Sequence, residues 1–161
     1  MVTHSSNTRA LVIVIALVGV ALGSAVSTFD YAEGTSYLSD NPETCVNCHV
    51  MRPQFKSWER GRHHAHATCN DCHVPADGVG KWIAKSANGW HHSKAFTLGD
   101  YPENIRIKAG NLAIVEANCR RCHGTLFHHP TTEAANAVAQ DGCVRCHAGV
   151  AHAAEHTMVP R

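Results

Sequence analysis

One five-residue pattern, used four times, limits what this chain can fold into. Cys45-Val46-Asn47-Cys48-His49, Cys69-Asn70-Asp71-Cys72-His73, Cys119-Arg120-Arg121-Cys122-His123 and Cys143-Val144-Arg145-Cys146-His147 all read C-x-x-C-H. Two thiols at that spacing, with a histidine directly behind them, form the attachment signature of c-type haem. The thiols add across the haem vinyl groups, and the histidine is placed to reach the iron. A single C-x-x-C is equally a redox dithiol or half of a zinc site. Four copies, each followed at once by histidine, fit neither. The motifs use all eight cysteines, so none remains for a disulfide. Four covalent c-type haems are therefore the expected cofactors, with His73, His123 and His147 as proximal iron ligands. In the first motif His49 competes with Met51, two residues further on. Both lie on the same side of one haem and cannot take opposite axial positions, so one binds iron and the other packs.

The chain has 161 residues, about one domain's worth. Its 14 Lys and Arg nearly balance its 13 Asp and Glu. Haem propionates make a holoprotein more acidic still, so a nucleic-acid partner has no support. Histidine is over-used, with 14 in all and one in each motif. His4 reads as an ordinary exposed polar residue. His63, His64, His66, His91, His92, His128, His129, His152 and His156 read better as a pool of second axial ligands for four irons. Large aliphatic residues are sparse after residue 30. Such a segment has difficulty building a core of its own, and covalently held porphyrins would provide the missing apolar volume. The expected fold is mainly α with much irregular structure. One N-terminal transmembrane helix precedes a small multihaem c domain organised around four haems.

Residues 1–9 read as a short polar head. The 17 residues from Ala10 to Val26 carry no charge, and Ser27, Thr28 and Phe29 extend the run. That is near the lower limit for crossing a bilayer core. A secretory signal cleaved near Gly23 and Ala25 is the competing reading. The length of the run favours an uncleaved anchor over residues 10–29, with residues 30–161 as the haem domain. Arg9 ahead of the span, with Asp30 and Glu33 behind it, favours an inward N-terminus. The haem domain then lies on the periplasmic face of a bacterial cytoplasmic membrane, its first haem near the lipid surface. Gly78 to Phe96 is the longest helical candidate outside the span. Lys81, Lys85, Asn88 and His92 recur on one of its faces. Trp82, Ile83, Trp90 and Phe96 give it apolar bulk, so it suits a membrane interface as well as a solvated position. Glu103 to Asn118 and Thr132 to Gln140 are further helical candidates. Cys45 to Cys69 and Cys119 to Cys143 each span 24 residues, with 50 from Cys69 to Cys119. That spacing groups the motifs as two dihaem units.

Several stretches resemble a known family. They are the run from Cys45 through Met51 to Gln54, the run Asp71-Cys72-His73-Val74-Pro75, and the run from Gly89-Trp90-His91-His92 to Phe96-Thr97-Leu98-Gly99. With a short N-terminal anchor ahead of them, they are similar to the NapC/NirT family of membrane-bound multihaem quinol dehydrogenases. Within that family the four-haem small subunit of cytochrome c nitrite reductases is the best match, over nearly the whole chain. The resemblance implies that Met51, not His49, is the axial ligand of the first haem, and that quinol is oxidised there. It implies that Lys85 is the lysine beside the quinol. A family carboxylate falls at His92, where this chain has histidine. His63, with His64 as its competitor, and His152 match distal iron ligands. His66, His128, His129 and His156 have no such match. The matched positions do not fill four distal sites, which leaves room for a ligand from a partner subunit.

The function so implied is that of a membrane-anchored quinol dehydrogenase. It oxidises menaquinol and passes electrons to a periplasmic multihaem nitrite reductase catalytic subunit that forms ammonium. Lys85 and His92 are the expected catalytic residues, binding the quinol and accepting its protons. Membrane lipid and menaquinol complete the expected partners. Two alternatives stand beside it. One is a promiscuous tetrahaem carrier feeding several periplasmic reductases. The other is a soluble periplasmic carrier, cleaved near Ala25, with no quinol chemistry.

Overall fold

The computed structural model describes residues 3–102, 105–127 and 142–152, and every regular element among them is helical. The chain forms two compact units, one ending at Tyr37 and the other beginning at Leu38. The first is built on α1, Thr3–Tyr31. Its part Ser6–Tyr31 is 26 residues long, apolar enough to cross a membrane, and exposed throughout. At 1.5 Å per residue that part measures roughly 39 Å, more than the ~30 Å of a bilayer hydrocarbon core. Leu11, Ile13, Ile15, Leu17 and Val20 are each more than half exposed. A helix suits that surroundings because it satisfies its backbone groups internally. It starts at Thr3, so the polar head of the sequence reading is already helical. It ends where Glu33 takes a left-handed φ of 51° and the chain leaves in the 3-10 turn Gly34–Leu38.

Among the described residues of the second unit, 3-10 turns at Pro42–Asn47, His49–Met51, Arg62–Ala65 and Gly124–Phe127 alternate with five helices. These are α2 (Arg52–Glu59), α3 (Cys69–His73), α4 (Gly78–Leu98), α5 (Ala109–His123) and α6 (Cys143–Cys146). Pro53 sits in the first turn of α2, where its missing N–H is not needed. Trp58 is buried, and its indole donates to Ala67 O at 3.0 Å, tying α2 to the run ahead of α3. The Asp71 carboxylate accepts from the Thr68 amide and hydroxyl, both at 2.8 Å, and closes the start of α3. Asp77 caps α4 by accepting from the Gly80 amide. Gly99 ends α4 at φ 65°, a left-handed position open to glycine, with Asp100 N donating to Ala95 O at 3.0 Å.

Helix α4 matches the expected Gly78–Phe96 segment with two more residues. Helix α5 does not begin near Glu103. Lys108, in extended conformation, is its N-cap. The β-branched Ile105 and Ile107 disfavour helix before that point. The helix then runs past Asn118, through the third haem motif to His123. The Thr132–Gln140 helix candidate and His128, His129 and His156 lie outside the described residues.

Among the described residues the buried side chains are Trp58, Val74, Lys85 and Asn118. The polypeptide therefore builds no apolar core there, and polar bonds join its pieces. The Asn118 amide, on α5, donates to Cys72 O at 3.0 Å and to Val74 O at 2.8 Å at the exit of α3. Arg121 adds a bond from Nη2 to Asp71 O at 3.2 Å. Asn118→Ala strands two carbonyls, a loss of about 1–3 kcal/mol. A thermal midpoint lower by several degrees is expected, read by circular dichroism of the haem-loaded protein in detergent.

Candidate haem centres

Residues three apart on a helix share a face, and three of the motifs use that spacing. Cys69, Cys72 and His73 make up α3 with its two intervening residues. Cys119, Cys122 and His123 form the last turn of α5. Cys143 and Cys146 bound α6, with His147 as its C-cap. The first motif is built differently. Cys45 lies in the turn Pro42–Asn47, and Cys48 leaves it in extended conformation, ψ 106°. His49 then starts a new turn that ends at Met51. The break between Cys48 and His49 delivers this histidine in another way from the other three. His49 is exposed and Met51 half-buried.

The motifs touch in chain order. The Cys45 and Cys69 thiols lie close enough to perturb each other electrostatically. Cys72 feels Cys122, and Cys119 feels Cys143. Glu116 reaches from α5 to the start of α6, accepting from Cys143 N at 2.7 Å and Val144 N at 2.8 Å. Gly142, at φ 73°, makes room for it: a Cβ there would stand 3.0 Å from Glu116 Oε1. The second and third motifs, 50 residues apart, are neighbours like the pairs 24 residues apart, so proximity does not divide the motifs into two units.

Two histidine pairs bear on the cofactor. The ring centroids of His63 and His123 are 6.0 Å apart, and those of His73 and His152 are 6.1 Å apart. An imidazole nitrogen binds a metal at about 2 Å and the ring centre lies roughly 1 Å behind it, so two axial rings on one iron stand about 6 Å apart. Nδ1 of His152 lies 3.1 Å from Gln54 O. As a donor there it leaves Nε2 with the lone pair, the orienting contact that metal-bound histidines usually have. Burial, then His152 and His92, push the His73 imidazole down to about 4, so this ring is neutral, the ligating form. Nδ1 of His63 is buried without a hydrogen-bond partner among the described residues. No three His, Cys, Asp or Glu converge among the described residues to hold an ion by themselves. A haem iron needs only two axial ligands from protein, so pairs rather than clusters fit it, as the thiol pairs fit its attachment.

Of the other expected residues, His64 packs edge-on against Trp58, ring centroids 4.7 Å apart. His66 and His91 are exposed. Lys85 is the most buried of the described charged side chains, 4% exposed. Its ammonium donates to Ser39 O at 2.7 Å, Leu38 O at 3.3 Å and Asp40 Oδ1 at 3.2 Å, just ahead of the first motif. It also stands 5.6 Å from the centre of the Trp82 ring. His92, two turns on, is exposed, with His73 and Lys108 in electrostatic reach. Helix α4 is thus inverted relative to a helix on a soluble core. Lys81, Lys85 and Asn88 bond inward, Asn88 Oδ1 accepting from Asn111 at 2.9 Å. Val79, Ile83 and Trp90 stand out at 74%, 66% and 69% exposure. Sequence reasoning missed the break at Cys48, the Gln54 carbonyl and Asp40.

The model of the NapC/NirT cytochrome c family, N-terminal region, matches residues 4–157. The chain belongs to this family. Among similar members, the cytochrome c-type protein NrfH of Wolinella succinogenes is 42% identical over 108 residues, 66% of this chain. The match spans 61% of that protein's length. The cytochrome c nitrite reductase subunit NrfH of Nitratidesulfovibrio vulgaris is 32% identical over 134 residues, covering 83% of this chain and 80% of that one. A chain in the crystal structure of the cytochrome c nitrite reductase NrfHA complex bound to the HQNO inhibitor matches with a TM-score of 0.61 and 28% identity. That match covers 91% of this chain and 93% of the other. Membership of a cytochrome c family carries the covalent haem with it.

Proposed function

We propose that this NapC/NirT cytochrome is a membrane-anchored tetrahaem quinol dehydrogenase that passes electrons from menaquinol to a periplasmic nitrite reductase forming ammonium. Residues 10–29 span the cytoplasmic membrane, and residues 30–161 form the haem domain outside. The observation that carries the electron-transfer reading is the pair of facing imidazoles, His63 with His123 and His73 with His152. An iron held by two imidazoles would have no open position for substrate, which suits a carrier. The likeness to NrfH proteins and to the NrfHA complex supports the choice of partner.

Bound haem provides the one-electron carriers, held by the four cysteine pairs. His63 and His123 would hold one haem iron between them, and His73 and His152 another. Lys85 donates to a quinol oxygen, and His92 accepts a proton. Since Lys85 is already bonded, the quinol oxygen takes the place of its longest acceptor, Leu38 O. The outward apolar stripe of α4, with its two tryptophans, suits the lipid interface at which a quinol head arrives.

The test is isolation of the intact protein. It is expected to resist a high-salt wash of membranes, to leave them in detergent with one stoichiometric multihaem partner, and to carry the mass of four haems. Several reductases at sub-stoichiometric levels would indicate the promiscuous carrier, and release by salt alone the soluble one. At the first haem, Met51→Leu is expected to change the spectrum of that haem only, while His49→Ala perturbs ligation less. The turn break at Cys48 supports this order. The reverse result assigns the iron to His49.

A further inference from the structure

We propose that Asp40 is the positioning residue of the quinol site, the carboxylate that fixes Lys85 against the lead-in of the first haem motif. This rests on the reading of Lys85 as the quinol-binding lysine. The lysine side chain is only 5% exposed, and Asp40 Oδ1 is 3.2 Å from its ammonium. A buried ammonium needs both hydrogen-bond acceptors and a counter-charge. The carbonyls of Leu38 and Ser39 give the first, and Asp40 gives the second.

The carboxylate is held in turn. Asn70, inside the second haem motif, donates to Asp40 Oδ1 at 2.7 Å, and Lys81 pairs with Oδ2. Asp40 therefore joins three pieces: the segment that leads to Cys45, the turn of the second motif, and α4. The hydrogen bonds from Lys81 and Asn70, against a small effect of burial and with Lys85 also helping, hold its carboxyl down to about 2. Such an acid stays ionised near neutral pH and is too weak a base to collect a quinol proton. Its part is to hold the lysine. A flexible four-carbon stem loses its aim when one anchor goes, and a misplaced hydrogen-bond donor loses rate steeply. The Asp40 side chain is itself 53% exposed. Solvent screens part of the pair on that side, and asparagine keeps a carbonyl oxygen as acceptor for Lys85, so haem loading should survive while the aim of the lysine is lost.

The experiment uses the full-length, haem-loaded protein in detergent, with menadiol as the quinol and dithionite as the control reductant. Haem content and dithionite-reduced spectra of Asp40→Asn should equal those of the unmodified protein. Its menadiol-driven kcat/KM should fall about tenfold, a typical loss for a displaced catalytic contact. Asp40→Glu should recover most of the rate. The double variant Asp40→Asn with Lys85→Leu should be no slower than Lys85→Leu alone, because residues that act through one another do not add. An unchanged rate for Asp40→Asn, or losses that multiply in the double variant, overturns the proposal while leaving Lys85 at the quinol. An unchanged rate for Lys85→Leu removes the quinol reading of that lysine and this proposal with it. Loss of haem from Asp40→Asn and Asp40→Glu alike makes Asp40 a folding residue and also overturns it.

Discussion

His152→Ala is expected to convert one haem in four from low-spin to high-spin, and the haem affected is the one attached at Cys69 and Cys72. The ring of His152 faces that of His73 at 6.1 Å, and its Nδ1 lies against Gln54 O, which leaves Nε2 for iron. Alanine removes the ligand without touching the thioethers, so haem content stays at four. His63→Ala should do the same at the haem of Cys119 and Cys122, since the rings of His63 and His123 stand 6.0 Å apart. The two changes concern different irons, so the double variant should show two altered haems, additively. Added imidazole should restore the low-spin spectrum in each. His64→Ala is the control: its ring rests on Trp58, and its removal should leave all spin states alone. Low-temperature electron paramagnetic resonance of the oxidised protein reads all of this. A high-spin signal from His64→Ala, with none from His63→Ala, would exchange the two assignments. A spectrum unchanged by His152→Ala would give the second haem a different sixth ligand.

The reach of the sequence can be seen in these same residues. The haem attachment motifs are legible because their chemistry is local: two thiols and an imidazole within five residues. The long apolar helix α1 is legible for a similar reason, since its hydropathy runs continuously from one residue to the next. Its C-terminal end was less so, because Tyr31 depends on the backbone turn at Glu33 rather than on hydropathy. The choice of His63 over His64 is different in kind. Both sit on one 3-10 turn, and what separates them is the packing of His64 on nearby Trp58 and of His63 on His123, which a distant segment brings in. Asp40 carried no signal at all. It is an ordinary acid in a turn-rich connector, and its meaning comes from Asn70, Lys81 and Lys85, at least thirty residues away in sequence. Helix α5 was misplaced at its start because periodicity does not register the cost of the β-branched Ile105 and Ile107 before Lys108.

Separate Lys85→Leu and His92→Leu changes are expected to divide what the sequence joined as one face of α4. The two residues are seven apart, two helical turns and about 10 Å along the axis. Lys85 bonds to residues just ahead of the first motif, whereas His92 is exposed and within electrostatic reach of His73 in the second. In the quinol reading they hold two ends of one ring system, the lysine as donor and the neutral histidine as proton acceptor. Both variants should keep four haems and full reduction by dithionite. Menaquinol-driven reduction should fall at least about tenfold in each, the scale of a lost acid–base contact. Leucine in place of Lys85 also leaves Ser39 O without its 2.7 Å donor, so some loss of stability, about 1–3 kcal/mol, accompanies it. Haem content and thermal midpoint are therefore measured before any rate. Quinol-driven rates that survive both changes would place the quinol elsewhere on the chain. A ligation change in His92→Leu would make this histidine an iron ligand of the second haem, in competition with His152, and would leave Lys85 as the acid–base group with a different proton acceptor beside it.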